Sequence, residues 1–144
     1  MSYQWNEGLS VGYELMDQQH RRLFAINHEL AEELAKAGAA KSEVLLKIVG
    51  DLMSYTRSHF AEEEALMRQV DFPGFARHKR LHDGLVSMVF DLEAKVGKGE
   101  LRSVAEFLPS FVGVWLSEHI AVEDHQYARY IKTQPAVQAA RDRL

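Results

Sequence analysis

Apolar residues recur at helical spacing in four long segments of the chain. Steps of three and four residues place such positions on one face of an α-helix. The predicted helices run from an N-cap at Asp17 to near Gly38, from near Ser42 to just before Asp71, from after Pro73-Gly74 to Gly97-Lys98-Gly99, and from about Leu101 to Lys132. Short connections between amphipathic helices favour antiparallel neighbours. The pattern therefore predicts an all-α fold, an antiparallel up-down-up-down four-helix bundle.

The first sixteen residues follow a different pattern, in which apolar positions alternate with polar residues or glycine. The alternating apolar positions are Leu9, Val11, Tyr13 and Leu15. Because this period is typical of extended chain, residues 1–16 are expected to form an extended N-terminal arm, with Trp5 as an anchor. We expect a single domain over residues 1–144, with the bundle at about 17–132 and a tail over 133–144.

Composition narrows the function classes. The chain has 144 residues, the length of one domain, and no Cys, which excludes disulfides, thiolate metal sites and a Cys nucleophile. A formal net charge of -4 argues against a nucleic-acid binder. No apolar run is long enough for a membrane span, and the N-terminus lacks the features of a secretory signal. The cytoplasm is therefore the expected location.

Each predicted helix carries polar residues in its apolar seam. These are His20 in the first helix, His59 and Glu63 in the second, His78 and His82 in the third, and His119 in the fourth. A buried carboxylate is costly unless it is paired or bound to a metal, and residues four apart lie on one helix face. Imidazoles and carboxylates are ligands for iron, manganese, zinc and copper. The seams therefore predict a metal site inside the bundle.

The neighbouring polar residues are given other roles. Glu62 and Glu64 flank Glu63 and are assigned to the solvated face of the second helix. His28 and His125 are expected at the surface or as hydrogen-bond partners of ligands. Pro109 is expected to kink the fourth helix or to mark its true start.

Asp124 is the next carboxylate aligned with the site, five residues after His119. Five residues of a regular α-helix turn through about 500°, so the two side chains would lie roughly 140° apart. One extra residue in the turn, a π-bulge, would bring them together. The seam also resumes at Asp124, Tyr127 and Ile131 rather than at Val122. We therefore predict a local helix distortion between His119 and Asp124.

Taken together, these motifs resemble the hemerythrin family, specifically the bacterial single-domain hemerythrins. The motifs are an isolated His in DQQHRRLF, HxxxE in HFAEE, HxxxH in HKRLH and HxxxxD in HIAVED. Their order and separations match from Trp5 to about Lys132. No expected ligand is missing.

The resemblance implies a non-haem di-iron centre that binds dioxygen reversibly, for storage, delivery or scavenging. By motif, His78, His82 and His119 bind one iron, and His20 and His59 bind the other. Glu63 and Asp124 bridge both iron ions, each of which can be Fe²⁺ or Fe³⁺, and a bridging oxide or hydroxide completes the pair. The two-His iron then keeps one open position, where dioxygen is expected to bind as a hydroperoxide.

An apolar pocket is expected around that open position, to exclude water and slow oxidation. Helical spacing nominates Leu23, Phe24, Phe60, Trp115, Leu116 and Ile120 for its walls. Asp17, Gln19 and Thr56 are candidate hydrogen-bond acceptors for the ligand imidazoles, although capping or surface roles fit them equally.

Other functions remain open at this point. The module could sense dioxygen or redox state and signal to a partner, or act as a di-iron oxidase, a peroxidase or a nitric oxide-reducing enzyme. Iron handling or a different metal is a further alternative, since these ligands do not select iron uniquely. We expect a binding protein without catalytic residues and a monomer, with an unidentified protein recipient left open.

Overall fold

The computed structural model describes residues 4–36 and 42–133, and most of these are helical. Helix α1 spans Glu14–Ala35, α2 spans Ser42–Gln69, α3 spans Phe75–Gly97, α4 spans Leu101–Glu118, a π-helical segment spans His119–Asp124, and α5 spans His125–Thr133. Helix α4, the π-helical segment and α5 are continuous and together form the fourth helix of the bundle. The predicted end of the first helix near Gly38 and the tail beyond Pro135 lie outside the described residues.

The helices pack as the predicted antiparallel four-helix bundle. Helix α1 lies against α2 and α4, and α3 lies against α2 and α4. Their apolar faces meet in one core, which is where the polar seam residues also lie. Within the described part of the chain, no helix is both long enough and apolar enough to span a membrane.

The ends of α2 and α3 explain why the bundle turns where the sequence predicts. After α2, the Phe72 N–H bonds to the Met67 carbonyl, and Asp71 adopts a left-handed backbone with φ of 52°. After α3, Gly99 adopts the same conformation with φ of 85°. Such left-handed residues close a helix by satisfying its last free carbonyls. Both boundaries therefore agree with the prediction, with Asp71 in a position that glycine usually occupies.

Helix α1 begins earlier than predicted, and Asp17 is not its N-cap. The helix starts at Glu14, after Tyr13 as the N-cap residue. The Asp17 side chain is buried, and its carboxylate accepts hydrogen bonds from the Val11 N–H at 2.9 Å and from the Ser10 hydroxyl. The N-cap prediction was wrong because an acidic residue is also favourable inside the first turn, where the helix dipole is positive. Asp17 therefore fastens the arm to the helix.

The arm is less extended than predicted, because Glu7–Leu9 forms a turn of 3₁₀-helix. Leu9 and Val11 are buried, whereas Leu15 already belongs to α1 and is 44% exposed. Trp5 packs against the core, and the Arg21 guanidinium lies 4.4 Å from the centroid of its ring. These contacts support Trp5 as the anchor of the arm.

Pro109 lies inside α4 and does not mark its start. Its carbonyl accepts a hydrogen bond of 2.9 Å from the side-chain amide of Asn27 on α1. Asn27 is only 1% exposed, so this bond gives a buried amide a partner. The contact joins α1 to α4 within the core.

Replacing Asp17 with Ala should lower the free energy of unfolding by about 1–3 kcal/mol, because the buried Val11 N–H loses its acceptor. Urea denaturation followed by circular dichroism measures the change. Glu29→Ala removes an exposed acidic residue from the same helix and should change stability by no more than about 0.5 kcal/mol. Equal stability of Asp17→Ala and Glu29→Ala would contradict the fastening role of Asp17.

Candidate metal centre

All seven predicted ligands meet in the interior of the bundle. Helix α1 supplies His20, α2 supplies His59 and Glu63, α3 supplies His78 and His82, and the π-helical segment supplies His119 and Asp124. The most exposed of them, His119, has 6% of its surface open to solvent. Four helices thus bring five imidazoles and two carboxylates to one place, away from water.

The first group, which we call the three-imidazole group, consists of His78, His82 and His119 with one oxygen from each carboxylate. The Nε2 atom of His119 lies 3.1 Å from the Nε2 atoms of both His78 and His82. The Oδ1 atom of Asp124 lies 3.1 Å from Nε2 of His78 and of His119. The Oε1 atom of Glu63 lies 3.0 Å from Nε2 of His82. Five donor atoms therefore surround one point.

The second group, the two-imidazole group, consists of His20 and His59 with the other carboxylate oxygens. The Nε2 atoms of both imidazoles lie 3.5 Å from Oε2 of Glu63. The Oδ2 atom of Asp124 lies 3.2 Å from Nε2 of His20. Glu63 and Asp124 therefore turn one oxygen toward each group. This division is the arrangement that two bridging carboxylates would have between neighbouring metal ions.

The donor spacing fits a bound cation. Ligands that lie about 2.0–2.2 Å from an ion at right angles to one another are separated by about 3 Å. The Nδ1 atom of His82 lies 2.9 Å from a Glu64 carboxylate oxygen, which can only accept a hydrogen bond when ionised. The Nδ1–H group of His82 is then the donor, which leaves Nε2 as the ring nitrogen that can bind a metal ion, 3.1 Å from Nε2 of His119.

Unpartnered buried atoms support the same conclusion. Among the described residues, both ring nitrogens of His20 and both carboxylate oxygens of Asp124 are buried without a hydrogen bond of normal geometry. Buried polar atoms without partners are costly, and native structures rarely leave them so. Metal ions at the centres of the two groups would satisfy the Nε2 atom of His20 and both oxygens of Asp124.

The pKa values of these side chains follow from burial and from their mutual contacts. Burial favours the neutral form of His20 and of His78, but the adjacent Asp124 and Glu63 carboxylates outweigh it and raise each pKa to about 9. Burial favours a protonated Glu63, yet the surrounding imidazoles, His59 foremost, hold its pKa well below the usual range. Burial and the Glu63 charge raise the pKa of Tyr127 well above its ordinary value.

The protonation states have a direct consequence for metal binding. Both carboxylates are anionic in the core, and the Tyr127 hydroxyl donates a hydrogen bond of 2.9 Å to Oε2 of Glu63. A metal ion that replaces protons on His20 and His78 would bind neutral imidazoles and release those protons.

The Nδ1 atoms of two imidazoles, on the opposite side of each ring from the predicted metal, contact polar side chains. The Nδ1 atom of His59 lies 2.6 Å from the side-chain carbonyl of Gln19, whose amide nitrogen in turn donates to Glu62. Glu64 holds His82 in the same way, and its side chain is only 13% exposed. Such bonds fix the ring orientation of a metal ligand.

These contacts correct the assignment of Glu64 to the solvated face, whereas Glu62 is exposed as predicted. The prediction treated the seam as a line one residue wide. The buried stripe of a core helix is wider than about 100°, so it includes the position after Glu63. Of the three candidate acceptors, only Gln19 contacts a ligand imidazole. Asp17 holds the arm, and the Thr56 hydroxyl bonds to the Leu52 carbonyl of its own helix.

Aromatic rings line the three-imidazole group. Phe60 is stacked on His82, with ring centroids 3.8 Å apart and planes 2° apart, and its centroid lies 5.9 Å from that of His59. Trp115 is stacked on His119 at 4.4 Å and 13°. The other residues predicted for the apolar pocket are all buried, and they are Leu23, Phe24, Leu116 and Ile120. The pocket itself stays a prediction, and Phe60 and Trp115 contribute to the other half of the centre.

The predicted helix distortion is confirmed, because residues His119–Asp124 form a π-helix. The wider turn brings Asp124 onto the face of His119 and also sets the register of α5, where Tyr127 and Ile131 are buried. Val122 points outward and is 54% exposed. The His125 ring bonds to the Ile120 carbonyl at 2.6 Å. His28 pairs with Glu32 near the surface.

Comparison with known proteins gives one consistent result. The family model described as Hemerythrin HHE cation binding domain matches residues 11–131. A bacteriohemerythrin of Stenotrophomonas maltophilia is 34% identical over 129 residues, which cover 89% of this chain and 80% of the relative. A myohemerythrin of Riftia pachyptila is 29% identical, covering 87% of this chain and 90% of the relative. A solved hemerythrin with a leucine-to-alanine substitution has a TM-score of 0.77 at 27% identity, covering 90% of this chain and 97% of that chain.

Deleting Val122 should leave metal binding largely intact. The deletion places the His119 and Asp124 side chains four residues apart, and a regular α-helix then keeps them within about 40° of each other. Cobalt(II) titration, metal content after dialysis and thermal unfolding measure the result. Deleting both Ala121 and Val122 turns α5 by a further 100° or so and should abolish binding at the three-imidazole group. Equal loss of metal in the two deletion variants would contradict this account of the π-helix.

Proposed function

Since this chain belongs to the hemerythrin family, we propose that it binds dioxygen reversibly at two iron ions in the bundle core. The observation that carries the proposal is the division of seven buried donor side chains into two adjacent groups, which share Glu63 and are further linked by the contacts of Asp124 with His20 on one side and with His119 on the other. Curated relatives are named bacteriohemerythrin and myohemerythrin, which supports an oxygen-binding role. The role proposed is storage, delivery or scavenging of dioxygen, without catalysis.

The two groups differ by one imidazole, and this difference gives them different roles. His78, His82 and His119 would hold one iron, His20 and His59 would hold the other, and Glu63 and Asp124 would bridge them. Iron bound there, with a bridging oxide or hydroxide, would supply the electrons that dioxygen binding needs and a free position on the two-imidazole side. The chain therefore offers dioxygen one side of the centre and closes the other with a third imidazole.

The predicted ligands favour reversible binding of dioxygen over its use in oxidation reactions. Only two of the seven side chains are anionic, whereas ferritin-like di-iron sites use more carboxylates. Anionic ligands stabilise higher positive charge on a metal, so a set dominated by neutral imidazoles stabilises it less. The low count of carboxylates therefore supports a centre that takes up dioxygen and releases it again.

The surroundings also support a carrier. The Tyr127 hydroxyl donates its hydrogen bond to Glu63. The other buried polar side chains of the described residues also make hydrogen bonds, and they are Asp17, Gln19, Asn27 and Thr56. None of these four is left as a free acid or base beside the two-imidazole group. His20 and His59 are at most 2% exposed, which keeps water from the side where dioxygen is proposed to bind.

The direct test uses protein loaded with iron under anaerobic conditions. Iron is counted per chain, the visible spectrum is recorded, and dioxygen is admitted and then removed. A reversible carrier should hold two irons per chain and show a charge-transfer band that appears with dioxygen and disappears on its removal. Irreversible oxidation would favour a redox sensor or an enzyme, and the absence of iron binding would overturn the proposal.

Replacing His59 with Ala should remove the iron of the two-imidazole group and abolish dioxygen binding, while the three-imidazole group keeps most of its iron. The reason is that His59 supplies one of only two imidazoles on that side, whereas the other side keeps all three. Iron analysis and the dioxygen-dependent spectrum measure both effects. His28→Ala, which removes a partly exposed histidine paired with Glu32, should change neither. Normal dioxygen binding by His59→Ala would contradict the ligand assignment.

A further inference from the structure

Trp115 links the predicted metal centre to the protein surface. Its ring is stacked on the His119 ring, with centroids 4.4 Å apart and planes 13° apart, and also lies 5.6 Å from Phe60. Phe60 is itself stacked on His82. Trp115 is partly exposed, whereas Phe60 is buried. One partly exposed tryptophan ring therefore contacts His119 directly and reaches His82 through Phe60.

The exposed side of Trp115 faces a surface depression of about 240 Å³. The depression is lined by Leu81, Trp115, Glu118, His119, Val122 and Glu123. It is smaller than the roughly 300–1,000 Å³ of a pocket that encloses a drug-sized ligand. A molecule in it would touch Trp115 with one edge rather than be surrounded. His119, the most exposed of the predicted ligands, also lines it.

A second aromatic route through the described residues, from the centre to the surface, is longer. It passes from His78 to Tyr127 at 5.8 Å, and then through Phe72 and Tyr130, whose rings lie 6.5 Å and 5.5 Å from their neighbours. Tyr127 is 1% exposed, so at least one further ring is needed to reach solvent. Electron tunnelling weakens steeply with distance. The single stacked contact of Trp115 is therefore the better conductor.

We propose that Trp115 delivers single electrons from a positively charged donor, bound in this depression, to the iron of the three-imidazole group. The inference rests on the proposed di-iron function, because a carrier oxidised to the ferric state must be reduced before it binds dioxygen again. In each step the donor loses one electron and one iron(III) becomes iron(II). Two donor molecules supply the two electrons that restore one centre, and an oxide bridge would take up one proton from water to become hydroxide.

The acidic residues that line the depression determine which charge the electron donor should carry. Glu118 is exposed and has no ion pair within the described part of the chain. Glu123 pairs with Arg77, so this second carboxylate is largely neutralised. Glu118 therefore leaves an unbalanced negative charge beside Trp115, which attracts a cationic donor and repels an anionic one.

The main experiment measures reduction of the oxidised, iron-loaded protein by the methyl viologen radical cation in a stopped-flow instrument. Trp115→Leu should lose most of the wild-type rate per bound iron, and Trp115→Phe should keep part of it, because phenylalanine preserves a stacked ring. The Trp5→Leu and Tyr130→Leu variants should be reduced by the viologen at the wild-type rate. A wild-type rate in Trp115→Leu, or a loss confined to Tyr130→Leu, would overturn the proposal.

A charge reversal locates the point of electron delivery independently. Glu118→Lys should slow reduction by the viologen cation about threefold or more at low ionic strength and accelerate reduction by the dithionite anion. Glu29→Lys makes the same change of net charge on α1 and should have a much smaller effect on either rate. Equal effects of the two substitutions would place electron delivery elsewhere on the surface.

A fluorescence measurement separates this proposal from the function of the centre. The chain has two tryptophans, so Trp5→Phe leaves Trp115 as the only one. Cobalt(II) should strongly quench the emission of Trp5→Phe and hardly change that of Trp115→Phe, and zinc should quench neither. Lack of quenching in Trp5→Phe would overturn the link between Trp115 and the metal. Failure of wild-type protein to bind dioxygen reversibly would instead overturn the proposed carrier function, with the reduction rates still measurable.

Discussion

Two carboxylates buried completely in a bundle core are the constraint on which the rest of the structure depends. Glu63 and Asp124 are both 0% exposed and remain ionised, with imidazole nitrogens about 3 Å away. An uncompensated buried charge costs several kcal/mol, and only a close positive charge repays it. Protonated His20 and His78, or cations bound by the imidazoles, would provide that charge. A metal ion in each group would satisfy both carboxylates and leave the rings neutral.

The same constraint governs the surrounding architecture. The π-helical turn exists where Asp124 must share a face with His119, and the Gln19 and Glu64 side chains fix rings that would otherwise rotate away. Tyr127 supports Glu63 from the start of α5. Because folding assembles the donor atoms, metal binding would contribute directly to the stability of the fold. Structural and ligand-binding residues are therefore one set in this bundle.

Most of the fold and of the metal centre could be predicted from the hydrophobic periodicity of the helices and from the chemistry of the polar residues in their seams. The seams placed His59, Glu63, His78 and His82 in the core, and the five-residue step to Asp124 required the distortion that the structure contains. The errors arose where several physical roles use the same residue type. An acidic residue near a helix start can cap the helix or, like Asp17, hold a neighbouring segment. The side of the centre that Trp115 lines depends on helix rotation, which a linear pattern does not specify.

Every one of the four bundle helices supplies at least one of the predicted ligands. This distribution limits how such a chain can evolve. A repeat protein gains or loses a unit and keeps working, because each unit contacts only its neighbours. Here the loss of any one helix would remove part of the centre. The whole bundle is therefore the smallest part of the chain that can form the centre, and we expect substitutions and insertions to be tolerated best in loops and on outer faces.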